Sequence, residues 1–105
     1  MARERVCAKA LVPEGQVRVV TCGSRRLALS NVGGELYAID DICTHDGGDL
    51  GEGSLLGGRL ICPRHGAAFD ARTGKVLTLP AVRDVNAYAV TVEGDDVYVD
   101  CESGS

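Results

Sequence analysis

No window of this chain carries an apolar stripe at helical spacing over three turns. Short segments instead alternate apolar with polar residues and are separated by glycine, which occurs fourteen times. Alternation with period two puts one set of side chains on each face of a strand, so the pattern predicts an all-β, antiparallel protein. The predicted strands are residues 5–11, 16–22, 26–30, 35–40, 59–62, 68–70, 86–93 and 96–101. Gly33-Gly34 and Glu93-Gly94-Asp95-Asp96 join neighbouring runs in the manner of antiparallel hairpins. Closure into a small barrel or sandwich follows. Residues 43–58 hold six glycines and few strand formers, and are predicted to be loop.

The 105 residues suit one domain with one core, 45% apolar and 25% charged, as in an ordinary globule. A net charge of -4 disfavours a nucleic-acid or anionic-membrane surface. No apolar run approaches the roughly 20 residues of a spanning helix, and the first ten residues contain no signal-peptide apolar stretch, so a cytoplasmic location is expected. Five cysteines are an odd number. A disulfide framework would leave one over, which favours reduced thiols with another use.

Both histidines of the chain lie beside a cysteine: Cys43-Thr44-His45 follows the strand at 35–40, and Cys62-Pro63-Arg64-His65-Gly66 follows the strand at 59–62. Either pair alone is weak evidence, since a buried thiol next to a surface imidazole is common. Two such pairs, each in a short loop closely followed by glycine, make a thiolate and imidazole ligand set suited to zinc or to iron-sulfur. With both imidazoles committed to metal, no free histidine base remains, and no paired-carboxylate or Ser-His arrangement can be argued. The residues therefore point to a metal-binding protein that is not itself an enzyme.

Cys-x-His, sixteen residues, then Cys-x-x-His-Gly resembles the Rieske 2Fe-2S motif, and residues 6–100 resemble a soluble Rieske-type ferredoxin. Asp70-x-x-Thr73-Gly74 and Leu79-Pro80-Ala81 resemble the segments that follow the second cluster loop in that family. The resemblance implies that Cys43 and Cys62 bind one iron of a single 2Fe-2S cluster and that His45 and His65 bind the other, with imidazole edges toward solvent. It implies a cluster-binding subdomain at about residues 42–80, inserted in an antiparallel base formed by about residues 1–41 and 81–103, the whole making a single Rieske domain over 1–105. It also implies a one-electron carrier between a reductase, expected to be a flavoprotein, and a terminal oxygenase or other redox enzyme.

Two thiolates and two neutral imidazoles leave an oxidised cluster neutral, whereas four thiolates leave it doubly negative, so the mixed set accepts an electron more readily. High-potential Rieske proteins add a disulfide between the loops and two hydroxyl donors. The corresponding positions here resemble Gly48, Arg64, Ala67 and Phe69, none of which supplies a thiol or hydroxyl. A potential in the low part of the Rieske range is expected.

Other readings stay open at this stage. A zinc site with the same four ligands would make the chain a metal-stabilised interaction module, and a cluster-bearing chain could be a fixed small subunit of a reductase such as nitrite reductase. Cys7, Cys22 and Cys101 fall in apparent strands and read as small buried residues. Asp40, Asp41, Asp46, Asp49 and Glu52 read as solvated loop acids, with a docking face around the cluster as the lesser reading.

Overall fold

The computed structural model describes residues 3–41, 53–62, 67–77 and 84–102. They form nine strands: β1 (Arg3–Ala8), β2 (Val17–Cys22), β3 (Arg25–Val32), β4 (Glu35–Asp40), β5 (Ser54–Leu56), β6 (Arg59–Ile61), β7 (Ala68–Asp70), β8 (Ala87–Glu93) and β9 (Asp96–Asp100). Six make an antiparallel sheet in the order β1-β9-β8-β4-β3-β2, and β5-β6-β7 make a second, three-stranded one. The all-β antiparallel expectation is met.

Alternation along β3 and β4 explains how the two sheets join. Leu27 and Leu29 of β3, with Leu36 and Ala38 of β4, face a core that also contains Val20, Tyr88, Val97 and Val99. Their sequence neighbours Ala28 and Ile39 point the other way and pack with Leu60, Cys62, Ala67, Phe69, Ala71 and Val85. The centre of β3 is consequently buried on both faces, and the small sheet is seated on its outer one. Burial of Leu60 and Phe69 there, each without exposed surface, contributes on the order of 1.5–3 kcal/mol per side chain.

The strands differ from the predicted ones at two places. Ser54–Leu56 lies in the stretch predicted to be loop, yet it pairs with β6 through Ser54↔Ile61, Leu55↔Leu60 and Leu56↔Arg59. Its turn, Gly57-Gly58, has φ of +57° and +80°, the left-handed pair that a two-residue hairpin of right-handed twist requires. The glycines that weakened the strand prediction are the ones that make the hairpin. At the other end, Lys9–Leu11 is a 3₁₀ turn rather than the end of β1. The ladder to β9 stops at Ala8↔Asp96; Lys9 N–H donates to the Asp95 carbonyl at 2.8 Å, and the turn carries Val12 into full burial.

Candidate metal centre

Of the four predicted ligands, Cys62 lies among the described residues; Cys43, His45 and His65 lie outside them. Cys62 follows β6 directly, and its N–H donates to the Ala67 carbonyl at 2.7 Å, so Cys62 and Ala67 close the hairpin between β6 and β7. Of the second predicted loop, residues 63–66 lie outside the described residues. The Cys62 side chain is 1% exposed, belongs to the core between the small sheet and β3–β4, and is a free thiol. Ala67, just before β7, and Phe69, within it, are both fully buried; Gly48 and Arg64 lie outside the described residues, as does Leu79-Pro80-Ala81.

The Asp70-x-x-Thr73-Gly74 segment is a tight turn behind this hairpin. Asp70 Oδ1 accepts from Arg72 N–H at 2.8 Å, the Asp70 carbonyl accepts from Gly74 N–H at 2.8 Å, and Thr73 Oγ1 accepts from Lys75 N–H at 3.3 Å. Gly74 has φ +76°, and a Cβ built on it would fall on the Val85 carbonyl oxygen. Only glycine fits both demands. Val85 N–H donates to the Gly74 carbonyl at 2.9 Å, and Val76 N–H to Asp84 Oδ1 at 2.8 Å. The turn is thereby tied to the residues that lead into β8.

A second clamp holds the end of β4, where the chain leaves the large sheet. Asp40 N–H donates to the Asn86 carbonyl at 3.0 Å, and Asn86 N–H donates back to Asp40 Oδ2 at 3.0 Å. Tyr88 Oη donates to Asp40 Oδ1 at 2.6 Å and accepts from Arg25 Nη1 at 3.3 Å. Burial first, and then the bond to Asp40, raise the Tyr88 phenol above its ordinary value near 10. Asp41 is buried, with its carboxylate 3.4 Å from Arg26. Asp40 and Asp41 are therefore structural groups, a correction to their reading as solvated loop acids; Asp46, Asp49 and Glu52 lie outside the described residues. Neither clamp has a local sequence signal, because the partners lie at least 8 residues apart, beyond the reach of a turn motif.

The remaining cysteines divide clearly. Cys22 and Cys101 form a disulfide, with Cα atoms 5.8 Å apart, which corrects the reading of both as reduced, isolated core residues. Cys7 is a buried free thiol in the large-sheet core, as expected, and burial pushes its pKa up, partly offset by Arg18 and Arg5. Among the described residues, the one cluster of three residues of metal-ligating type is Glu4, Cys22 and Cys101, and its two sulfurs are bonded to each other. Cys62 alone among the described cysteines combines an unbonded sulfur with a position at a predicted metal loop. That is the chemistry a thiolate ligand to an iron-sulfur cluster requires.

The profile of the Rieske [2Fe-2S] domain matches residues 2–89 of this chain. The 3-phenylpropionate/cinnamic acid dioxygenase ferredoxin subunit of Shigella flexneri serotype 5b is 45% identical over 102 residues, covering 95% of this chain and 94% of that protein. Among solved structures, a chain in the complex of reduced oxygenase and oxidized ferredoxin in carbazole 1,9a-dioxygenase superposes with a TM-score of 0.90 at 36% identity, over 97% of this chain and 95% of that one. The ferredoxin of carbazole 1,9a-dioxygenase from Nocardioides aromaticivorans IC177 gives a TM-score of 0.89 at 29% identity, over 94% and 97% of the two chains. The chain belongs to the Rieske [2Fe-2S] domain family. It is a ferredoxin-type electron carrier rather than a catalytic enzyme, and its cofactor is one Rieske 2Fe-2S cluster.

Proposed function

We propose that Cys43 and Cys62 hold one iron of the cluster and that His45 and His65 hold the other, in a subdomain of about residues 42–80 carried on a base of about residues 1–41 and 81–103. In this reading the chain works in the cytoplasm, receives one electron from a flavoprotein reductase and delivers it to the terminal oxygenase of a ring-hydroxylating dioxygenase system. The observation that carries the assignment is the free, buried Cys62 thiol at the closure of the β6–β7 hairpin, opening the Cys62-Pro63-Arg64-His65-Gly66 motif. The names of the similar ferredoxins support the oxygenase as acceptor.

When bound, the cluster supplies one-electron chemistry at a potential raised by its two imidazole ligands. The protein supplies position and environment. The packing of Leu60, Ala67 and Phe69 around Cys62 excludes water from the sulfur side and fixes the hairpin. In this reading the imidazoles of His45 and His65 are the route by which a partner couples, and a small, polar, salt-sensitive encounter suits a carrier that must release quickly.

The test is absorption and paramagnetic resonance spectroscopy of the purified protein with iron and sulfide analysis. About two irons and two sulfides per chain are expected, with a Rieske signal on reduction. Cys62→Ala and His65→Ala should lose it, whereas Cys7→Ala keeps it. A colourless wild-type protein, or a cluster that survives Cys62→Ala, refutes the ligand assignment. Reoxidation of the reduced carrier by purified aromatic-ring dioxygenase, followed by stopped flow, tests the acceptor; no acceleration over autoxidation refutes it.

A further inference from the structure

The outer strands β1 and β2 of the six-stranded sheet approach each other without a strand ladder between them among the described residues. Two links cross this seam at one end. Gly23 N–H, in the turn after β2, donates to Glu4 Oε2 of β1 at 3.0 Å, and Cys22 at the end of β2 is bonded to Cys101 just beyond β9, the neighbour of β1. The disulfide joins residues 79 positions apart in a chain of 105 and so closes most of it into a loop. It lies in the large-sheet core, whereas Cys62 lies in the other core on the far face of β3–β4.

We propose that Cys22–Cys101 is a reversible thiol–disulfide site, separate from the metal centre, which locks the barrel seam when oxidised and releases it when reduced by a dithiol. Access is one-sided. Cys22 is fully buried, but Cys101 is partly exposed, and both line a cavity of about 300 Å³ together with Arg3, Glu4 and Arg25. A thiolate entering the cavity reaches Cys101 first, passing a wall in which the Arg3 and Arg25 guanidiniums are balanced by the Glu4 and Glu102 carboxylates.

The exchange balances without any other reactant. The first thiolate of the dithiol attacks Cys101 Sγ, forming a mixed disulfide and expelling Cys22 as thiolate. The second thiolate then attacks the reductant's own sulfur, closing its disulfide and releasing Cys101. Two electrons and two protons pass from the dithiol to the cysteine pair. The products are accommodated where they stand: the Val99 carbonyl oxygen is 3.5 Å from Cys22 Sγ and 3.9 Å from Cys101 Sγ, and accepts from either thiol once the bond is open.

The test uses the cluster-loaded protein purified in air. Non-reducing peptide mapping should show Cys22 and Cys101 linked. Titration with dithiothreitol under native conditions should make both alkylatable while Cys7 stays protected, with iron and sulfide content unchanged. The thermal midpoint should fall by at least about 5 °C on reduction, because the crosslink no longer restricts the unfolded chain. The Cys22→Ser/Cys101→Ser variant should melt at the lower temperature with or without reductant; if it does not accumulate, the wild-type titration decides alone. Absence of the linked peptide, resistance of the bond to dithiothreitol in the folded protein, or a midpoint indifferent to reduction overturns the proposal.

Discussion

The Tyr88 hydroxyl donates to the Asp40 carboxylate at 2.6 Å, joining the first residues of β8 to the last of β4 just before the chain departs toward Cys43. A hydrogen bond from a buried phenol to a charged acceptor contributes about 1.5–3 kcal/mol. Tyr88→Phe should cost that much in guanidinium unfolding. The phenol's pKa is raised in the folded state, so its contribution is complete below about pH 10 and disappears as pH climbs through the higher folded value. The wild type should therefore lose stability above that pH more steeply than Tyr88→Phe; equal slopes would assign the alkaline loss elsewhere.

Gly74 is placed so that any side chain strikes the Val85 carbonyl, whereas Gly57, at φ +57°, faces open space. Alanine at either site bears the left-handed backbone penalty of about 1–2 kcal/mol. Gly74→Ala should add the cost of displacing Val85, giving a loss clearly larger than that of Gly57→Ala in paired denaturation curves. Equal losses would mean that the turn relaxes freely away from β8.

Phe69 is the largest fully buried side chain among the described residues and couples the small sheet to β3–β4. Phe69→Ala should cost roughly 3–5 kcal/mol and lower cluster occupancy after purification, because Cys62 shares its core. Leu56→Ala, at a side chain 64% exposed, should change stability by about 0.5 kcal/mol or less. Circular dichroism with iron content reads both, and a mild Phe69→Ala phenotype would show that the small sheet is held by other contacts.

Ala67 and Phe69 leave the neighbourhood of Cys62 without a hydroxyl donor on either side chain. Reduction places extra negative charge on the cluster, and each missing donor withholds stabilisation from that state. The midpoint should lie near or below about −100 mV, in the low part of a class that spans about −150 to +300 mV. Protein-film voltammetry measures it directly; a value above about +150 mV would contradict the donor argument.

The strands that alternate strongly, such as Glu35–Asp40 and Asp96–Asp100, were legible because each buries one face against the large-sheet core. Ser54–Leu56 was not, since three residues between glycines carry no periodicity, and only pairing with Arg59–Ile61 makes them a strand. Asp40 and Asp41 read as solvated because acidic residues beside a loop ordinarily are; their partners Tyr88, Asn86 and Arg26 come from other strands or the approach to them. Cys22 and Cys101 each looked like a small core residue. Their bond depends on where the sheet curls its ends together.

What the amino-acid order settled unaided was local chemistry: alternation that makes strands, glycine turns that reverse them, and two Cys–His pairs whose donor types and spacing define the cofactor class. Tertiary structure decided which distant residues meet: Tyr88 with Asp40, Gly74 with Val85, Cys22 with Cys101. Periodicity and ligand chemistry act over a few residues and are written along the chain. Contacts between segments some 10 to 80 residues apart arise only when the sheets twist and pack, and that geometry is a property of the whole fold.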